Sequence, residues 1–229
     1  MNQASSLFRY IIQINPTGLL SKSSIPFILA WLVSIVFHPL LMPTYLNGMI
    51  FKYCTDLAPL THESKVQILF FIFISTYLIP SFTTGLLWAS GVITSIGLEK
   101  KSERMIPLVM TVLVYMGVSY IFLEHLQMAR ILGFFMASIA LAVALTAVIT
   151  KFWKISSHMV GIGGLLGFML AVVSKTQNMS LLWPLIFTIV ASGAVASSRL
   201  YLMAHNQLQI ILGFLLGIVV SWSAVHFFI

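Results

Sequence analysis

A chain of 229 residues that is 59% hydrophobic and only 7% Asp, Glu, Lys and Arg cannot clothe a water-facing surface, for which a soluble domain uses about 25% charged residues. Its mean hydropathy of +1.03 agrees. The five carboxylates, Asp56, Glu63, Glu99, Glu103 and Glu124, include no aspartate cluster. That excludes magnesium chemistry of the kind used by membrane prenyltransferases and CDP-alcohol phosphotransferases, because a hard cation needs several anionic oxygens.

The fold class expected is all-α, a polytopic transmembrane helix bundle of about six to seven spans. Leu7 to Ile14 forms a short amphipathic stretch, so residues 1–24 read as an N-terminal interfacial segment and 25–229 as the transmembrane domain. The segment lacks the n-region, h-region and cleavage site of a signal peptide. Apolar stretches follow at roughly 25–50, 66–88, 106–123, 131–150, 159–174, 180–197 and 208–228, each long enough or nearly so to cross a bilayer. Pro39 and Pro43 are expected to kink the first and Pro80 the second, which a membrane helix tolerates when neighbours take up the freed carbonyls. Gly163/Gly167 and Gly213/Gly217 are small-xxx-small pairs that permit close helix packing. The lone Cys54 allows neither an internal disulfide nor a cysteine metal site.

Counting spans puts the N-terminus and the loops 89–105, 151–158 and 198–207 on side one. The loops 52–65, 124–130 and 175–179 and the C-terminus fall on side two. Side one carries Arg9, Lys22, Lys100, Lys101, Arg104, Lys151, Lys154 and Arg199; side two carries Lys52, Lys65, Arg130 and Lys175. The positive-inside rule places the richer side in the cytoplasm, but removing Lys101, Arg104 and Arg199 as substrate ligands leaves the two sides nearly equal. A net charge of +7 in a membrane protein reflects orientation, anionic headgroups or a phosphate substrate. The basic residues are scattered among loops, so no nucleic acid is expected as a partner. The lipid bilayer is, and the sequence sets no oligomeric state.

Three polar clusters share side one, each separated by two spans: Glu99 to Pro107, Lys154 to His158, and Ser198-Arg199 followed by His205 and Gln209. An even number of spans between them returns the chain to the same face, so the groups can converge. Their chemistry suits phosphoryl transfer without a metal. Arg104, Arg199 and Lys101 (or Lys100) supply cations for the equatorial phosphate oxygens, the arginines by a planar fork. Ser156 and backbone N–H groups at the start of the fifth span add donors. A histidine can serve as nucleophile and a second as acid and base; His205 and His158 are the candidates. Gln209, four residues beyond His205, shares its helical face and can fix the ring.

The order and spacing resemble the type 2 phosphatidic acid phosphatase superfamily, which includes lipid phosphate phosphatases and vanadium haloperoxidases. Ser198, Arg199 and His205 fall at the spacing of its S-R-x5-H-x3-D signature. Ser156 and His158 match half of P-S-G-H, with Ile155 and Ser157 at the other two positions. Arg104 and Pro107 loosely match K-x6-R-P, with Lys100 or Lys101 in place of the expected lysine. The resemblance covers residues 98–215. It implies His205 as nucleophile, His158 as acid and base, Lys101, Arg104, Ser156 and Arg199 as phosphate ligands, a membrane lipid phosphate or isoprenoid diphosphate as substrate, and no metal or other cofactor. Gln209 stands where the family has Asp. The expected location is a bacterial inner membrane, and the resemblance favours a site on the periplasmic face.

Other features have blander readings. Lys100, Lys151 and Lys154 read as topology determinants or headgroup contacts, and Glu99 and Glu103 as solvated or paired. His62, His125 and His226 look structural. So does His38, although an ionisable group inside a span is a functional candidate by default. Asn178-Met179-Ser180 fits a glycosylation sequon. Two other functions compete: a non-catalytic relative that binds phospholipid headgroups, motivated by Gln209, and a small transporter. The transporter predicts intramembrane carboxylates or inverted repeats, and neither is evident in the sequence.

Overall fold

The computed structural model describes residues 25–98 and 100–228; the expected interfacial segment 1–24, with Arg9 and Lys22, and Glu99 lie outside the described residues. Among the described residues seven helices are long and apolar enough to cross a membrane: Ile25–Tyr53, His62–Ala89, Lys101–His125, Arg130–Phe152, Ser157–Thr176, Met179–Tyr201 and Gln207–Phe228. The described residues contain no strand. The protein is an integral membrane helix bundle, and its span ends fall within a few residues of those read from hydropathy.

The first span is two helices, Ile25–Val36 and Met42–Tyr53, joined by a tight turn at Pro39–Leu41. Pro39 has no N–H, so the regular ladder fails here. The His38 N–H turns to the Ile35 carbonyl (3.1 Å) and the Leu40 N–H to His38 Nδ1 (3.3 Å). Among the carbonyls that lose their normal partners are those of Ser34 and Val36. The first accepts from His158 Nε2 (3.1 Å) and the second from the Tyr45 hydroxyl (2.8 Å). In a medium without water such substitutes are obligatory.

The second span widens into a π-helical turn at Ile74–Leu78, just before Pro80. An amide at position 80 would have bonded the Thr76 carbonyl. The hydroxyl of Tyr115, from the third span, donates to it instead (3.1 Å). Tyr115 is fully buried with Phe122, Phe135, Ile162 and Phe168 in the central core.

The fifth and seventh spans make the closest approach in the bundle. A Cβ at Gly167 would stand 2.6 Å from the Ile218 carbonyl oxygen, and one at Gly213 would stand 2.8 Å from that of Ser156. Gly163 and Gly217 face the Phe214 and Val160 carbonyls more tightly still. Both glycine pairs therefore serve one interface, in which backbone meets backbone. The Ser156 level of the chain is thereby fixed opposite Gly213, six residues into the seventh span. At the helical rise this puts the start of the fifth span about 9 Å below the start of the seventh. Outside, Trp31, Phe70, Trp183, Val190 and Phe227 are exposed, as lipid-facing side chains must be.

Candidate functional site

One cavity of about 270 Å³ opens among the spans at the end of the bundle where the loops 90–100, 153–156 and 202–206 meet. Arg104, His158, Arg199 and His205 line it, joined by His38. Deeper, its wall is formed by Leu46, Tyr115, Ile139, Val143 and Leu165. One end is cationic and hydrogen-bonding; the other is apolar.

Arg104 lies where the loop enters the third span. Its Nε donates to the Leu98 carbonyl (2.7 Å) and its Nη1 to that of Ile155 (3.4 Å). Leu98 is in the left-handed region, φ 50°, which is uncommon without glycine, and its carbonyl is the one that meets the guanidinium. The loop is tied behind Arg104 by Glu103. This carboxylate accepts from Thr94 N (2.9 Å) and Thr94 Oγ1 (2.8 Å) and pairs with Lys100 at 3.4 Å. Glu103 thus braces the loop rather than facing the cavity.

Arg199 Nη1 donates to Ser34 Oγ (3.2 Å). Ser34 Oγ also bonds Ser198 Oγ (3.0 Å), and Ser198 Oγ donates to the Ala30 carbonyl. Arg199 Nε is buried with no hydrogen-bond partner. A buried charged donor without a partner is costly, and an anion in the cavity would supply one.

The histidine tautomers follow from their partners. Gln209 Oε1 already accepts from Asn206 N (3.3 Å) and lies 3.0 Å from His205 Nδ1. A carbonyl oxygen can only accept, so Nδ1 carries the proton and Nε2 keeps its lone pair. The same logic at the Ser34 carbonyl puts the His158 proton on Nε2 and leaves Nδ1 free. His205 is buried, 8% exposed. Burial pushes its pKa down to about 3; the Gln209 bond opposes this, while Arg104, Lys154 and Arg199 add to it. His205 is therefore a neutral imidazole at physiological pH, as a nucleophile must be.

Five of the seven residues read from sequence meet at this site: Arg104, His158, Arg199 and His205 on the cavity wall, and Gln209 behind His205. Two do not line it. Lys101 is exposed and donates to the Phe152 carbonyl (3.2 Å), because it starts the turn that leads into the third span and points along the loop. Ser156 is fully buried against the seventh span, its Oγ without a partner. The helix starts one residue later, and Ser157 reaches the cavity. The lysine that acts on His205 is Lys154, which the sequence reading left to topology.

From sequence alone Ser34 has no expected role, and His38 reads as structural, a functional candidate only because it is ionisable inside a span. Both are polar residues in an apolar span, spaced by one helical turn. That was the available signal, and it needed the partner spans to give it meaning. Among the described residues no group of three or more His, Cys, Asp or Glu is placed to hold a metal ion. Comparison with protein-family models, curated proteins and solved structures finds no match for this chain.

Proposed function

We propose that the chain is an integral-membrane, metal-independent phosphatase that acts on a lipid phosphate or isoprenoid diphosphate through a phosphohistidine. The observation that carries this reading is the single cavity that gathers two arginines and two histidines at its polar end and continues into an apolar wall. A substrate whose tail stays in the bilayer matches that polarity.

The steps follow from the tautomers. Arg104 and Arg199 hold the phosphoryl oxygens. His205 Nε2 attacks phosphorus, so a P–N bond forms as the P–O bond to the alcohol or leaving phosphate breaks. His158, protonated at Nδ1 when the anion binds, passes that proton to the leaving oxygen. Its Nδ1 then takes a proton from water, whose oxygen attacks phosphorus. The P–N electron pair returns to His205 Nε2, and orthophosphate leaves. Nδ1 of His205 keeps its proton on Gln209 throughout.

Gln209 favours a second reading, a phospholipid-headgroup binder with weak or no turnover. An amide orients the ring but offers no charge to the imidazolium. Losing the carboxylate of a Ser-His-Asp triad lowers kcat by up to ~10⁴. By the family resemblance, the site faces the periplasm of a bacterial inner membrane.

Phosphate release from phosphatidic acid, phosphatidylglycerol phosphate and undecaprenyl diphosphate, measured without magnesium, tests the proposal. Release from wild type that is lost in His205→Ala is expected. Release that survives His205→Ala overturns the mechanism. Silence in wild type with release in Gln209→Asp selects the binder.

A further inference from the structure

His38 has no part in the steps above, yet it lines the same cavity. Its ring stands edge-on to that of His158, with centroids 5.5 Å apart at 81°. The break in the first span holds it there. Pro39 ends the helix, and the Leu40 N–H donates to Nδ1 (3.3 Å). Nδ1 is thus the acceptor, so the ring proton is on Nε2. Among the described residues Nε2 has no hydrogen-bond partner. The wall hydroxyls of Thr84, Thr111 and Tyr115 turn their protons to the carbonyls of Pro80, Pro107 and Thr76, and none of them bonds His38. His38 Nε2–H is a donor left open to the cavity.

The three histidines also lie at different depths. His205 precedes the seventh span. His158 is the second residue of the fifth span, whose start is set opposite Gly213. Pro39 packs on Gly161, where a Cβ would meet the Pro39 Cα at 3.4 Å. This places the His38–Pro39 turn about 7 Å deeper than Ser156 along the fifth span. Running inward, the order is nucleophile, acid and base, then His38. The leaving group departs in that direction, toward the apolar wall.

We infer that His38 is the leaving-group subsite: its Nε2–H donates to an acceptor oxygen on the leaving group, a few bonds beyond the scissile oxygen. Two substrate chemistries carry one. In an isoprenoid diphosphate it is an oxygen of the second phosphate; in a phosphatidic acid it is the glycerol ester carbonyl. The guanidinium of Arg199, tied to Ser34 one turn before His38 and with its buried Nε lacking a partner, favours an anionic acceptor as the stronger ligand. A simple alkyl phosphate offers no such oxygen. This inference rests on the phosphatase reading for the direction of departure.

Binding of non-hydrolysable analogues to purified protein in nanodiscs tests it: a prenyl methylenediphosphonate, the phosphonate analogue of phosphatidic acid, and dodecylphosphonate. His38→Asn keeps an acceptor for the Leu40 N–H and so preserves the turn, but its shorter amide places no donor at the Nε2 position. It is expected to weaken one or both acceptor-bearing analogues about tenfold, as loss of a hydrogen bond to a charged group does. Dodecylphosphonate should change less than twofold. Which analogue suffers identifies the acceptor. His38→Gln, which returns an N–H near the Nε2 position, should recover most of the loss. Equal weakening of all three analogues, or no weakening of any, overturns the inference. If wild type binds the analogues but hydrolyses none of the matching esters, the phosphatase reading falls and with it the leaving-group role, while a selective loss in His38→Asn still shows His38 as a donor to the bound ligand. If wild type binds none of them, both fall.

Discussion

His205 shows how a single side chain is prepared by its surroundings. Its ring is desolvated, faced by cations and held by an amide that fixes the tautomer without contributing charge. Its pKa is pushed down to about 3 in the folded protein, against about 6.5 in an unfolded chain. The unfolded state therefore binds the extra proton between these values. The stability that depends on neutral His205 is complete above about pH 6.5 and is lost as pH falls toward about 3. NMR of ¹⁵N-histidine-labelled protein should show His205 as a neutral Nδ1–H imidazole from pH 8 to pH 5. An imidazolium signal at pH 5 would contradict the burial and cation argument. The same partner makes Gln209→Asp informative. If turnover is limited by the uncompensated imidazolium, this change raises kcat by one or more orders of magnitude while KM moves little, because the added charge acts only as the intermediate forms.

At the level of elements, prolines and glycines were visible in the sequence, but their partners were not. Pro80 announces a defect in the second span; only the bundle shows that the Tyr115 hydroxyl repairs it. Tyr115→Phe should destabilise the protein by about 1–3 kcal/mol, since it leaves the Thr76 carbonyl buried and unmet. The loss should shrink in a Pro80→Ala background, where an amide can bond Thr76. Reversible unfolding in mixed micelles measures the cycle, and equal losses in both backgrounds would refute the repair. The glycine pairs offer a contrast within one chain. Gly167→Ala drives a methyl into the Ile218 backbone, which cannot yield, and overpacking of this kind costs about 1–3 kcal/mol. Gly117 and Gly193 have open space where a Cβ would go, so alanine there should be neutral or slightly stabilising.

For the whole molecule, the testable property is sidedness. The three loops that bound the cavity share one end of the bundle, as the span count requires. Cys54 is the sole cysteine. Burial, with Asp56 nearby, pushes its thiol up to about 11, so it holds little reactive thiolate. Wild type should resist a membrane-impermeant maleimide, which makes it a clean host for a scan. Ser102→Cys and Glu63→Cys, both at exposed positions, should label from opposite faces. Labelling of Ser102→Cys from outside places the cavity mouth on the outer face; labelling of both from one face would refute the seven-span topology.

By itself the sequence determined that the chain lives in a bilayer, that it crosses about six to seven times, where prolines interrupt it and which three clusters share a face. Hydropathy and span parity are properties of one dimension and survive without coordinates. Tertiary structure alone decided which polar groups face one another. It turned Lys101 and Ser156 away from the cavity, brought Lys154 near His205, and made Ser34 and His38, isolated polar residues in an apolar span, part of the site. The reason is physical. In the membrane interior water is not there to satisfy donors and acceptors, so most find partners within the protein, and those partners come from spans more than a hundred residues apart: Ser34 meets His158, Ser198 and Arg199.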